Sequence, residues 1–248
     1  MPQKKNNAVI AVCIQEPFEE GSSMDFGIIK GDMLRFLHQA FITDTIMHAL
    51  AIPEVDIRLY YIDSADRVQL VKIVTDYLRK KVSTAQAGDF DSRFASVVMK
   101  KQGWGKRAAN VFEDCFEKGY NYVMLVGSRT PTISSAMMKR MLKMLRASDV
   151  VFGPTPEGRY YTIGMSGHEH IDLSTFDWNS PSIYSEVSEA LTKQGISWSE
   201  LEIWYCVERS DDLEMLARDI NQFRFEGDET TCRETEIVLE RILARLEP

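Results

Sequence analysis

VMLVGSRTP, residues 123–131, opens with four apolar residues and closes on glycine, serine, arginine, threonine and proline. A short apolar run bounded by turn-forming residues reads as a buried strand running out into a tight turn. That turn carries Arg129. Open α/β sheets bind ligands in the crevice beyond the carboxyl ends of their strands, so this turn is expected to border any site the protein has.

The surrounding sequence supports a parallel sheet around that strand. Apolar runs of strand length at 8–14, 55–62, 95–99, 122–126 and 150–152 alternate with amphipathic stretches at 32–51, 65–80, 106–118 and 134–147. Such alternation is the signature of a parallel sheet with helices on both faces. In the first long stretch Leu34, Leu37, Phe41, Thr45 and His48 recur three or four apart. His48, and His38 with it, therefore read as helix residues near the packing face, with no partner that would make either a ligand. Met137, Met138, Met141 and Met144 form a second helical stripe, read as packing.

After Phe152 the pattern changes. The segment 159–165, RYYTIGM, follows its predecessor through a Pro/Gly turn at 153–158, as a hairpin would. An irregular stretch at 166–179 precedes a helix at 180–194, a strand near 202–207, and a helix from Ser210 with Asp211 and Asp212 in its first turn. The expected sheet is mixed, parallel in the first half with antiparallel additions in the second. No Pro-, Gly- or Ser-rich linker and no internal repeat interrupts the chain, which predicts one domain over 1–248, with 221–248 a helical extension. The last stretch puts Val238, Leu239, Ile242, Leu243 and Leu246 on one side. Such a stripe needs an apolar surface, either its own domain or the second copy of a homodimer.

Composition narrows the function classes. The 248 residues are 44% hydrophobic and 27% charged, the mix of a globular chain that buries a real core. A net charge of -8 argues against a general nucleic-acid or acidic-membrane surface. No apolar run approaches the roughly 20 residues needed to span a bilayer. The opening MPQKKNNAVIAVCIQEPF has a short apolar run that soon meets Glu16, a first strand and not a signal peptide, so a cytoplasmic location is expected. Cys13, Cys115, Cys206 and Cys232 lie far apart without a C-x-x-C pair and are expected as buried free thiols. His168 and His170 in GHEH lack a third ligand nearby and read as an exposed loop. Neither G-x-S-x-G nor a Walker-type phosphate loop is present.

The ordered set QGWGKR, VMLVGSRTP, DVVFGPTPEGRYYTIGM, FDWNSP and CVERSDDL, at 102–213, resembles the bacterial glycosyltransferase-like proteins of the nucleotide-diphospho-sugar transferase (GT-A) superfamily. Relatives of that family include the molybdenum cofactor and phospholactate guanylyltransferases. The likeness runs over roughly 8–216 in order and spacing, and is close in letters only at 153–164 and 127–131. It implies a three-layer α/β fold with a mixed, mainly parallel central sheet. It also implies transfer of a glycosyl or nucleotidyl group from a nucleotide donor, and Mg or Mn on carboxylates beside the nucleotide. Carried onto this sequence, the resemblance places nucleotide contacts at Gly103, Gly105, Arg107, Gly127, Ser128, Arg129, Gly158 and Tyr160, an acceptor contact at Trp178, and acids at Glu157 and Glu208.

The departures lean one way. Where the family reads Gly-Ser-Asp-Cys-Pro, with Asp on the metal side, this chain has Arg129. The family's basic first loop is replaced at 15–31 by a stretch with Glu16, Glu19, Glu20 and Asp25, and Lys30 is its one cation. Gly103 replaces an acid of Gly-Asp-Leu-Gly, Arg159 replaces a glycine of Asp-Gly-Gly-Tyr-Tyr, and Asp-Val-Asp becomes CVE, leaving Glu208. Exchanging a carboxylate for a guanidinium changes the local charge by two units and puts a permanent cation where a metal would sit, so no metal cofactor is expected. Arg129 then either forks onto ligand phosphate or carboxylate oxygens, or forms a structural ion pair with Glu157 or Glu208. The first alternative is an active, metal-independent transferase with Arg129 and Arg107 on the donor phosphates and Glu157 or Glu208 as base. The second is a catalytically silent relative serving as a binding or assembly protein. Trp104 reads as a stacking platform or as a plug over an emptied pocket.

Overall fold

Val9, Ile10, Ala11, Val12 and Cys13 are all fully buried, as a strand covered on both faces requires. They belong to β1 (Ala8–Cys13) in a computed structural model that describes residues 6–15, 18–19, 22–82 and 84–246. Ile10 and Val12 face one core, and Val9, Ala11 and Cys13 face the other, because successive side chains of a strand point to opposite sides.

Seven strands form the sheet: β1, β4 (Val55–Ile62), β5 (Phe94–Met99), β6 (Tyr122–Gly127), β7 (Val150–Pro154), β8 (Tyr160–Ser166) and β9 (Trp198–Glu200). Their spatial order is β5-β4-β1-β6-β8-β7-β9. The pairs β1–β4, β1–β6, β4–β5 and β7–β9 are parallel, and β8 runs antiparallel to both β6 and β7. The hairpin expected across 153–158 is therefore present, within a mixed, mainly parallel sheet. A separate two-stranded ribbon joins β2 (Phe18–Glu19) to β3 (Ser22–Ser23).

Helices cover both faces. Ile42 and Ile46 of α1 (Gly31–Leu50), Val71, Val74 and Leu78 of α2 (Ala65–Lys81), and the methionine stripe of α5 (Ser135–Met144) pack on the Ile10 side. Val111, Phe112 and Cys115 of α4 (Trp104–Glu117), with Val187 and Leu191 of α6 (Ile183–Gln194), pack on the other. A third cluster joins Leu37 and Phe41 of α1 to Leu216 and Ile220 of α7 (Ser210–Phe225) and Ile242 of α8 (Arg233–Leu246).

Several expectations need correction. The helix α3 (Thr84–Arg93) lies where no element was expected. The strand expected near 202–207 is displaced to Trp198–Glu200. Residues 201–208 instead cross other segments singly, with Leu201 N donating to Phe152 O, Trp204 N to Pro154 O and Val207 N to Arg129 O, so no ladder forms. The C-terminal stripe packs on its own fold: Ile242 is buried and Val238 and Leu239 lie against the α1–α7 cluster, while Leu243 stays exposed. Asp44 of α1 supports that docking by accepting hydrogen bonds from the first amides of α8, Glu234 N at 3.0 Å and Thr235 N at 2.8 Å. Cys13, Cys115 and Cys232 are buried free thiols, whereas Cys206 is half-buried.

Candidate functional site

A cleft of about 2030 Å³ opens beyond the carboxyl ends of four parallel strands. Gln15 follows β1, Asp63 and Ser64 follow β4, Lys100 and Lys101 follow β5, and Gly127 ends β6; all six line it. The opposite side comes from the β7–β8 hairpin and from the segment that leads into α7.

Both sides carry charges of each sign, with Asp63 beside the lysines and Arg159 and Arg209 among the acids. Lys100 and Lys101 come from the β5–α4 connection, the buried Arg107 from the first turn of α4, and Arg159 from the hairpin. The amino end of α4 lies among them, where unsatisfied amides carry partial positive charge. The acids are Asp25, Asp63, Glu157, Glu208, Asp211 and Asp212. Asp212 is committed structurally: its Oδ2 accepts from Glu208 N at 2.9 Å and Arg209 N at 2.8 Å, closing the first turn of α7.

Of the residues the sequence singled out, Gly103, Arg107, Gly127, Glu157, Tyr160, Trp178 and Glu208 line this cleft. Gly105, Ser128, Arg129 and Gly158 are not among its lining residues. Arg129 is 1% exposed and lies beneath the floor, with Nη1 3.0 Å from Glu208 Oε1, whose side chain is 28% exposed. Between the two expectations for Arg129, the geometry is that of an ion pair with Glu208. Ser128 is fully buried as well: its Oγ accepts from Gln15 N at 3.1 Å and bonds His38 Nε2 at 2.8 Å. His38 thus has the partner that its helix position did not reveal. Burial, with the charges of Arg67 and Arg129, lowers its pKa to about 3, so the ring is neutral.

Gly105 and Gly158 serve local geometry. A Cβ on Gly105 would stand 2.5 Å from Trp178 Cδ1 and 2.7 Å from Leu173 O, so its hydrogen is the seat on which the indole rests. Gly158 has φ +71 in the hairpin turn, a conformation that suits glycine. Cys206 lines the cleft beside Thr130, but burial and then the Glu208 charge push its thiol up to about 12, which keeps it protonated and non-nucleophilic. Lys100 and Lys101 were passed over in the sequence; the available signal was their position directly after a strand end. Of the acidic first loop, Glu16 and Glu20 lie outside the described residues, and Asp25 reaches the cleft. Among the described residues no group of three His, Cys, Asp or Glu side chains is placed to hold a metal ion, and no helix is long and apolar enough to cross a membrane.

A family model described as "Uncharacterized protein conserved in bacteria (DUF2064)" matches residues 46–180, more than half of the chain. The chain belongs to this family. The DUF2064 match takes in β4 to β8, and so the VMLVGSRTP turn and the hairpin. No curated protein matches the sequence. Among solved structures, a protein from Desulfovibrio desulfuricans G20, provisionally assigned as a nucleotide-diphospho-sugar transferase, is similar with TM-score 0.68 and 19% identity, over 95% of this chain and 98% of that one. CMP:2-keto-3-deoxy-manno-octonic acid synthetase complexed with CTP is similar with TM-score 0.51 and 12% identity, over 88% and 99%. The 4-diphosphocytidyl-2C-methyl-D-erythritol synthase of Anaerococcus prevotii DSM 20548 gives TM-score 0.51 and 9% identity, over 87% and 96%. At these identities the likeness establishes the fold, which is that of the nucleotide-diphospho-sugar transferases.

Proposed function

We propose that this chain is a glycosyl- or nucleotidyltransferase-type protein that binds a nucleoside diphosphate or nucleotide sugar in the strand-end cleft without a divalent cation. The observation that carries the reading is the charge layout of the cleft. Lys100 and Lys101 beyond β5, with the largely buried Arg107 of α4 beside them, offer cations to a diphosphate from one side and Arg159 from the hairpin side, while the floor is closed by the Arg129–Glu208 pair.

The residues present do not fit Mg or Mn at that floor. A divalent ion needs neighbouring carboxylate oxygens, and the Glu208 carboxylate is already bonded to a buried guanidinium 3.0 Å away. An ion there would meet Arg129 at contact range, a repulsion of several kcal/mol at an effective dielectric of about 20. In this reading Lys100, Lys101 and Arg107 neutralise the donor phosphates, a role that oriented cations perform for a leaving phosphate. Glu157, exposed on the hairpin turn, is the better-placed base, because Glu208 is committed to Arg129.

The test is a thermal shift with nucleoside diphosphates and nucleotide sugars, in EDTA and in Mn. Ligand at 100 times Kd adds about 2.7 kcal/mol of stability, and roughly 5–10 °C for a chain of this size. The reading expects that rise in EDTA, with its loss in Lys100→Ala/Lys101→Ala. Absence of any shift favours the second reading, a catalytically silent binding or assembly protein, which the closed ion pair at the floor also supports. A homodimer through the C-terminal helix would then rest on Leu243, exposed among the described side chains of its stripe, and removal of 231–248 would change the oligomeric state.

A further inference from the structure

Trp104, Tyr160 and Trp178 line the cleft with Lys100 and Lys101; Trp178 packs against Tyr160 and against Gly105, the residue that follows Trp104. Trp104 opens α4 three residues after Lys101, so aromatic ring and charge share one short connection. All three rings are half-buried, each presenting part of its surface to the cleft. Their positions are fixed from behind. Trp178 rests on Gly105 and donates its indole N–H to Leu173 O at 2.8 Å. Tyr160 lies 6.0 Å from Trp178, ring centre to ring centre, and donates its hydroxyl to Tyr184 O at 3.2 Å. The Arg107 guanidinium sits 5.3 Å from the Trp104 ring centre, within cation–π range.

The consequence is chemical. The indole N–H of Trp178 and the hydroxyl of Tyr160 are committed inward, so these two residues offer a ligand their ring surfaces and not their polar ends. A sugar ring carries several hydroxyls that need partners. A nucleobase carries a π-face that stacks on aromatic rings and a polar edge that amides recognise. Gln102 and Asn179, two amide side chains next in sequence to this aromatic set, line the same cleft.

We propose that this corner is the stacking platform for the base of a nucleotide whose phosphates lie on Lys100 and Lys101. The inference rests on the nucleotide-binding reading above and adds where the base goes. It assigns Trp104 and Trp178 to base contact, where Trp178 was expected to face the acceptor.

Titration calorimetry of the full chain tests it, with CDP, UDP, GDP and ADP as probes and pyrophosphate and ribose 5-phosphate as controls. Trp104→Ala and Trp178→Ala should each weaken nucleoside diphosphate binding by roughly 5- to 150-fold, the range that one stacked base supports. Pyrophosphate affinity should stay within about twofold of the parent protein, which also certifies that the variants fold. Trp104→Phe, which keeps an aromatic face, should recover most of the loss. Unchanged nucleotide affinity in both alanine variants overturns the platform while leaving the nucleotide-binding reading intact. An equal loss for ribose 5-phosphate makes the corner a sugar seat and overturns the base assignment. Failure of every nucleotide to bind the parent protein removes both.

Discussion

Removing Glu208 should harm this protein more than removing its partner. Arg129 is 1% exposed and Glu208 28%, with 3.0 Å between Nη1 and Oε1. At an effective dielectric of about 20, a unit pair at this separation has a raw attraction of about 5 kcal/mol. Desolvation offsets much of that, and water reaching Glu208 screens more, which leaves a net coupling of about 2 kcal/mol. Glu208→Gln takes the carboxylate from a guanidinium that is 1% exposed, where solvent compensates only in part. Arg129→Met leaves a carboxylate that can turn to solvent, and methionine fills a similar volume. The expected order is a loss of about 2–4 kcal/mol for Glu208→Gln, about half that for Arg129→Met, and a double variant close to Arg129→Met. Urea unfolding of the three variants and the parent completes the double-mutant cycle, and the largest loss corresponds to roughly 4–16 °C in Tm. A Glu208→Gln protein within about 0.5 kcal/mol of the parent would refute the reasoning, because the buried charge would then have no need of that carboxylate.

Three further outcomes follow from local geometry. Gly105→Ala, whose Cβ would intrude on Trp178 and Leu173 O, should lose about 1–3 kcal/mol and shift the tryptophan emission, read by thermal melts and fluorescence. Asp44→Ala removes the acceptor for Glu234 N and Thr235 N and should lower stability by about 1–2 kcal/mol, with amide exchange rising first at the start of α8. Burial lowers the pKa of His38 to about 3 and of His48 to about 4, so the unfolded chain binds protons near pH 6.5 that the folded chain refuses. The stability due to these neutral rings is fully present above pH 6.5 and falls as pH drops toward 4. Asp44 opposes part of that slope, since burial raises its carboxyl to about 6 and favours the folded state as pH falls through the same window. Melting curves of Asp44→Asn between pH 4 and 7 should therefore show a steeper acid loss than the parent.

Much of the fold was legible because apolar runs and helical stripes alternate through the first 152 residues. The failures have physical causes. In α3, the sequence TAQAGDFDSR carries a glycine and two aspartates, poor helix formers that obscure a period held by buried Phe90 and Arg93. The segment 201–208 has the β-branched and aromatic residues of a strand, but its amides bond one by one to Phe152, Pro154 and Arg129. Within the site, Arg129 stood out as a cation among acids, and Glu208 was one of its two expected partners. Its depth was not legible, because what covers it is the distant 201–208 segment crossing the turn. For the same reason the bond from His38 to Ser128, 90 positions apart, left no local pattern.

The most direct measurement of the central claim is titration of MnCl2 into the protein in the presence of a saturating nucleoside diphosphate, followed by calorimetry and Mn paramagnetic resonance. The account predicts that the nucleotide binds equally well with EDTA, and that the protein adds no Mn site beyond what the free nucleotide holds. A stoichiometric Mn bound by protein and nucleotide together, lost in Glu208→Gln, would contradict it.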